Sequence, residues 1–325
     1  MIAPHPLGAG HARRAFRGFD FLPTPCIPHN PILRTPHPGT STPHPGTSTP
    51  CTPRVAHPRC GFARGVWGML TRMVQNGVDG RPGVLVQAAL NGGTTRAEHP
   101  AVPLTPAELA AEARAAADRG AQALHLHPRD VAGEQTLDPD HVLAAVAATR
   151  AATGLPVGVT TGIWTVAGDA ARRLELVARW TGPDRPDYAS INMNEPGTTD
   201  LADLLTSLGI QIEAGVWTAA DARLLGAAAF RDRILRVLME PVDRSPAAAV
   251  ATAAEAASEL ARLGVTAPQV HHGYELATWD VMRAAVAMGQ HIRVGLEDTT
   301  VVPDGSAAEG NADLVAAAVR LVRES

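Results

Sequence analysis

Ala121-Gln122-Ala123-Leu124-His125-Leu126-His127-Pro128-Arg129-Asp130 is the stretch on which the fold turns. A short apolar run ends in polar residues, which is the pattern of a strand entering a loop. On a strand, residues i and i+2 share a face, so His125 and His127 turn both imidazoles to one side. Working outward, a helix is expected on each flank. Upstream, Thr105 supplies an N-cap, Pro106 suits the first helical position and Glu108 completes a capping box, opening a helix that runs to Gly120. Downstream, the next helix is expected over about 138–153.

The same alternation continues to the end of the chain. Strands are predicted at 84–90, 121–127, 156–160, 188–192, 211–213, 234–239, 268–271 and 291–295. Helices are predicted between them, at about 168–180, 199–208, 219–229, 246–263, 275–288 and 312–323 after the two already placed. Eight strand–helix units in about 240 residues match the usual size of a (β/α)8 TIM barrel, an α/β fold. The competing architecture is a doubly wound open sheet, which needs a glycine-rich turn after its first strand to bind a dinucleotide. Asn91-Gly92-Gly93-Thr94-Thr95-Arg96 follows strand one but lacks the GxGxxG spacing, so the barrel is preferred.

Residues 1–80 differ in composition from 81–325, the expected catalytic domain. Pro, His, Thr and Gly are frequent there, and Pro36-His37-Pro38-Gly39-Thr40-Ser41-Thr42 repeats in tandem. Such a segment buries too little apolar surface to offset its ordering entropy, so a disordered extension is expected. It resembles a targeting peptide only faintly, having no clean apolar core; the alternative is a start at Met69 or Met73.

Composition excludes several kinds of function. A net charge of −4 over 325 residues does not suit nucleic acid or an anionic membrane surface. No run of 18 apolar residues exists, and a cytoplasmic protein is expected. The three cysteines all lie in the first 60 residues, so the main domain has no disulfide framework, cysteine nucleophile or thiolate metal site. The chain has no lysine. That removes Schiff-base and pyridoxal-phosphate chemistry, and the P-loop with them. A carbanion would have to be stabilised by a metal ion or by hydrogen-bond donors.

Nearly every predicted strand ends in a polar group, and barrel active sites are built at those ends. The groups are Asn91, His125 and His127, Thr160 and Thr161, Asn192, Glu213, Glu240, His271 and His272, and finally Glu297 and Asp298. His125 and His127 are candidate metal ligands, the alternative being two structural histidines. Glu297 is the candidate third ligand, since two His and one Glu form a catalytic zinc set with an open position. Arg129-Asp130 either orients those ligands or forms a plain surface ion pair.

Alternation puts Arg293, Gly295 and Glu297 on one face, and Gly295 is expected to leave room for a ligand. Asp298 can turn towards Arg293, which would keep it ionised as a base for a metal-activated carbon acid. A helix-capping salt bridge is the alternative for that pair. Thr160, Thr161, Ser190 and Asn192 offer neutral donors to a carboxylate or carbonyl. Glu213 either binds substrate or buttresses the metal ligands, and Glu240 is expected to stand behind the ligand ring. At most one of His271 and His272 can face the site. Trp164 and Trp217 follow strand ends and are candidates for the pocket wall.

From about residue 84 onward the chain resembles the β-keto acid cleavage enzymes. The resemblance rests on Thr94-Thr95-Arg96-Ala97-Glu98-His99-Pro100-Ala101-Val102-Pro103, on His125-Leu126-His127-Pro128-Arg129-Asp130, on Thr160-Thr161-Gly162 and Ser190-Ile191-Asn192, and on Arg293-Val294-Gly295-Leu296-Glu297-Asp298. It implies a zinc-dependent barrel with Zn2+ on His125, His127 and Glu297, a deprotonating dyad of Arg293 and Asp298, and substrate-contacting hydroxyls at Thr160 and Ser190. The implied reaction converts a β-keto acid and acetyl-CoA into acetoacetate and a new acyl-CoA, in a homo-oligomer. Members acting on an amino substrate carry a glutamate directly before Thr-Thr-Arg; Gly93 stands there in this chain. A neutral or anionic β-keto acid is therefore expected. The competing functions are metal-dependent hydrolysis or aldol cleavage of a keto acid, or a metal-holding barrel without turnover.

Overall fold

The computed structural model describes residues 83–325, and the extension expected over 1–80 lies outside them. Eight strands close into one parallel barrel in chain order: β1 (Val86–Ala89), β2 (Ala123–Leu126), β3 (Val157–Thr160), β4 (Tyr188–Asn192), β5 (Gln211–Val216), β6 (Arg236–Met239), β7 (Gln269–His271) and β8 (His291–Val294). The helices that return the chain are α1 (Pro106–Asp118), α2 (Pro139–Thr153), α3 (Ala170–Val177), α4 (Thr198–Ser207), α5 (Ala219–Ala227), α6 (Pro246–Arg262), α7 (Thr278–Ala287) and α8 (Asn311–Glu324). The expected TIM barrel is the observed fold. No described helix is long and apolar enough to cross a membrane.

Local chemistry starts the helices where the sequence says. Thr105 caps α1 and Glu108 returns the capping box. Asp138 caps α2, which ends on Gly154 at φ 69°, a left-handed turn suited to glycine. Two predicted helices are shorter than expected: α3 runs only from Ala170 to Val177, and the start predicted for α7 is taken by a 3-10 turn, Glu275–Ala277.

Each strand buries two different faces. Outward-facing Val86, Ala88, Leu124, Leu126, Val157 and Val159 join the helices' Leu109, Ala113, Val142 and Val146 in the main core. Small side chains let helix and sheet approach closely, which suits a chain with few aromatics. The inner face is polar at mid-depth. Gln87 donates to the Tyr188 hydroxyl at 2.9 Å and to Glu213 at 3.3 Å. Arg236 donates to Glu213 at 2.6 Å, and its guanidinium lies 4.9 Å from the Tyr188 ring centre.

That layer corrects one expectation. β5 does not end at Glu213 but continues to Val216, so Glu213 sits in mid-strand, in register with Ser190 and Arg236. The sequence after Glu213 is Ala-Gly-Val, too small in its side chains to read as a strand, yet pairing with β4 and β6 holds it extended.

Candidate active site

The candidate metal ligands converge from β2 and from the turn beyond β8. His125 lies in β2, and His127 is one residue past its end. Asn91 keeps His127 extended: its amide donates to the His127 carbonyl at 2.9 Å, and its oxygen accepts the His127 N–H at 2.9 Å. The side chain replaces a missing strand partner. His127 Nε2 is then 3.2 Å from Glu297 Oε1, and His125 Nε2 is 3.7 Å from Glu297 Oε2. One ligand atom from each of the three residues lies within 4.8 Å of the others. Gly92, at φ 52°, makes the approach possible, since a Cβ there would sit 2.1 Å from Glu297 Cγ.

The electrostatics suit a divalent cation. Burial pushes His125 down to about 4 against the pull of Glu297, so its imidazole is neutral and keeps a lone pair. His127 Nδ1 is 2.6 Å from Gln135 Oε1, which also accepts the Trp164 indole N–H at 3.1 Å. An acceptor at Nδ1 holds the proton there and leaves Nε2 free for a metal. Burial alone would raise Glu297, but Arg293, His127 and His125 outweigh it and hold its carboxyl well below the usual range. Glu297 Oε2 is buried without a hydrogen-bond partner. The neutral His125, a second imidazole whose Nε2 faces the same point and an ionised carboxylate with one oxygen unsatisfied fit a metal ion.

Asp298 and Glu297 share one guanidinium. Arg293 Nη2 donates to Glu297 Oε1 at 2.5 Å and to Asp298 Oδ1 at 2.7 Å, while Nε reaches both Asp298 oxygens at 3.3 Å. Arg293 and Asp298 are both buried. Burial raises the Asp298 carboxyl, and Arg293 followed by His272 more than offsets it, so the group is held ionised. The pair thus lies beside the candidate metal triad.

Gly295 has a different role from the one expected. A Cβ there would lie 1.8 Å from the Ala89 carbonyl oxygen, so the glycine serves the close β1–β8 seam and not a ligand.

The other predicted site residues divide. Thr160, Ser190 and Glu213 are in register on adjacent strands. Thr160 Oγ1 accepts the Gly162 N–H at 3.0 Å, leaving its own proton to give. The Ser190 hydroxyl has no partner among the described residues. Thr161 instead donates to the Ser190 carbonyl at 2.5 Å, tying β3 to β4. Asn192 donates to Glu195 at 2.8 Å and keeps its oxygen free. Glu213 is fully enclosed in the Gln87–Tyr188–Arg236 layer.

Of the two adjacent histidines, His272 is the one turned to Asp298 (Nδ1 to Oδ1, 3.1 Å), whereas His271 bonds Gln269 at 2.9 Å. Arg129 and Asp130 neither pair with each other nor touch the ligand rings. Arg129 donates to the Gly92 carbonyl at 2.6 Å, and Asp130 caps its own loop at Ala132 and Glu134. Trp164 does line the mouth, its ring stacked 6.3 Å from that of His127.

Sequence reasoning missed Gln135 and the Gln87–Arg236 layer. A polar residue inside an otherwise apolar strand was the available signal for Gln87 and Arg236; Gln135, on a loop, gave none.

Comparison with known proteins agrees with this geometry. The family model described as beta-keto acid cleavage enzyme matches residues 83–325. The 3-keto-5-aminohexanoate cleavage enzyme of Fusobacterium nucleatum is 28% identical over 261 residues, covering 74% of this chain and 92% of that protein. Among solved structures, apo ObcA superposes with a TM-score of 0.57 at 20% identity, covering 69% of this chain; the chain spans 61% of ObcA's length. The ternary complex of ObcA with a C4-CoA adduct and oxalate gives 0.53 at 21% identity, covering 69% and 63%. The 3-dehydroquinate dehydratase of Geobacillus kaustophilus gives 0.52 at 14%, covering 75% and 92%. With the family model spanning every described residue and the metal triad assembled, the chain belongs to the β-keto acid cleavage enzyme family.

Proposed function

We propose that this protein is a zinc-dependent acyltransferase that converts a β-keto acid and acetyl-CoA into acetoacetate and a new acyl-CoA. The observation that carries the reading is the single guanidinium of Arg293 joining an ionised Asp298 to the metal ligand Glu297. A base fixed beside a metal site is what removal of a proton next to a carbonyl needs. A divalent ion, zinc by its two-His, one-Glu donor set, would polarise the β-keto carbonyl as a Lewis acid.

The residues have distinct tasks. The Thr160 and Ser190 hydroxyls would donate to the substrate carboxylate, with Asn192 assisting them. Asp298 takes the α-proton, and Arg293 keeps it ionised until then. The α-carbon attacks the acetyl thioester, releasing CoA thiolate. The thiolate attacks the original keto carbonyl, and that carbonyl's bond to the α-carbon breaks. Asp298 returns its proton to the α-carbon, leaving acetoacetate and the new acyl-CoA. No lysine is required. The Fusobacterium relative supports β-keto acid cleavage as the activity, and the ObcA complex with a CoA adduct supports the thioester partner. Gly93 in place of a glutamate favours a substrate without an ammonium group.

The test is a panel of β-keto acids with acetyl-CoA, following acetoacetate and acyl-CoA together, alongside metal analysis. The expected result is about one zinc per chain and turnover that needs acetyl-CoA. His125→Ala should lose both metal and turnover. Cleavage without acetyl-CoA would instead make the protein a hydrolase or aldolase.

A further inference from the structure

Beside Asp298, the ends of β6 and β7 bring a buried histidine between two carboxylates. His272 Nδ1 lies 3.1 Å from Asp298 Oδ1, and its Nε2 lies 3.4 Å from Glu240 Oε2. Both are ion contacts, and the directed hydrogen bond of Nδ1 is to the Gly273 carbonyl at 3.2 Å. The backbone of Asp298 is fixed as well: its carbonyl accepts the Glu275 N–H at 2.7 Å and the Thr278 hydroxyl at 3.3 Å.

The two oxygens of Asp298 are therefore unequal. Oδ1 accepts from Arg293 Nη2 at 2.7 Å and from Arg293 Nε at 3.3 Å, and it faces the His272 cation at 3.1 Å. Among the described residues, Oδ2 accepts only the long contact from Arg293 Nε at 3.3 Å. A carboxylate oxygen with two donors and a facing cation is the more fully engaged; one with a single weak donor keeps its lone pairs.

We infer that His272 is a positioning residue for the proton transfer: by occupying Oδ1 it leaves Oδ2 as the oxygen that takes the substrate α-proton. This rests on the carbon-acid reading of the site. Arg293 alone could hold the carboxylate in either of two related orientations, since its fork reaches both oxygens. A cation facing Oδ1 only removes that ambiguity. The charge state suits the task. Burial and the neighbouring Arg293 push His272 down, but Asp298 and Glu240 outweigh them and lift it to about 9, so it stays a donor at neutral pH. Glu240, on the far side, keeps the cation from turning away.

The experiment uses the full chain with zinc and three variants. His272→Asn puts an amide donor near the Nδ1 position, His272→Gln puts one near Nε2, and His272→Leu has none. Each is read by metal content, KM, kcat and the primary isotope effect on an α-dideuterated β-keto acid. For His272→Leu, kcat should fall about 100-fold with metal content unchanged and KM within about threefold. The isotope effect should rise, because proton removal becomes slower than the later steps. His272→Asn should recover at least about tenfold of the loss and His272→Gln should not. Equal activities for Asn and Gln, a Leu variant within about threefold of the parent, or a loss that follows metal content with the isotope effect unmoved would overturn the inference. If Leu does not fold, the Asn and Gln comparison decides alone. A parent that makes acetoacetate while these variants behave alike rejects the role of His272 only; a parent inactive on every β-keto acid rejects the carbon-acid reading and the role with it.

Discussion

At the scale of single residues, the site is built from pairs whose members depend on each other. Asp298→Asn keeps the shape of the side chain and removes the base. Metal content should match the parent while kcat falls about 10²- to 10⁴-fold; a variant within tenfold of the parent would place the base elsewhere. Deeper in the barrel, Arg236→Met strands Glu213 as a buried charge without its cation. Denaturant unfolding should report a loss of about 3–5 kcal/mol, most of it recovered when Glu213→Gln is added. The metal ligands were legible because the i, i+2 spacing of His125 and His127 has a direct geometric meaning on a strand. Glu213 was legible as polar but not as enclosed, since its partners Gln87 and Arg236 come from two other strands and no local pattern links them.

At the scale of elements, strand and helix identity followed from alternation, while the ends followed from contacts. Capping chemistry fixed the start of α1 at Pro106 because Thr105 and Glu108 are sequence neighbours. The end of β2 is set instead by Asn91, which clamps the His127 backbone from 36 residues away. Gly295 shows the same limit. Its position invites a ligand-space reading, yet the constraint comes from the Ala89 carbonyl across the β1–β8 seam. Gly295→Ala should therefore open that seam, lowering stability by about 3 kcal/mol or more and displacing Glu297 with it. Thermal melting of the metal-free protein checks the first effect and zinc affinity the second.

At the scale of the whole molecule, the barrel combines an apolar mantle of small side chains with a polar interior, and that interior makes stability depend on pH. Burial pushes His271 and His291 down to about 4 from the ordinary histidine value of 6.5, with His272 and Arg236 adding to the effect at the two sites respectively. A histidine depressed by folding gives stability that is present above the unfolded value and lost as pH falls. Each should contribute a slope approaching 1.4 kcal/mol per pH unit, about, between pH 6.5 and 4. Unfolding of the metal-free protein should follow that slope, and His291→Gln should remove one histidine's share of it. A stability unchanged from pH 6.5 to 4.5 would contradict the burial assigned to both.

The central claim concerns which carbon atoms the site joins, and isotope placement reads it directly. With acetyl-CoA labelled with 13C at both acetyl carbons and an unlabelled β-keto acid, the account predicts acetoacetate carrying both labels in its CH3–CO half and none in its CH2–COOH half. Unlabelled acetoacetate, or label in the carboxyl half, would contradict it.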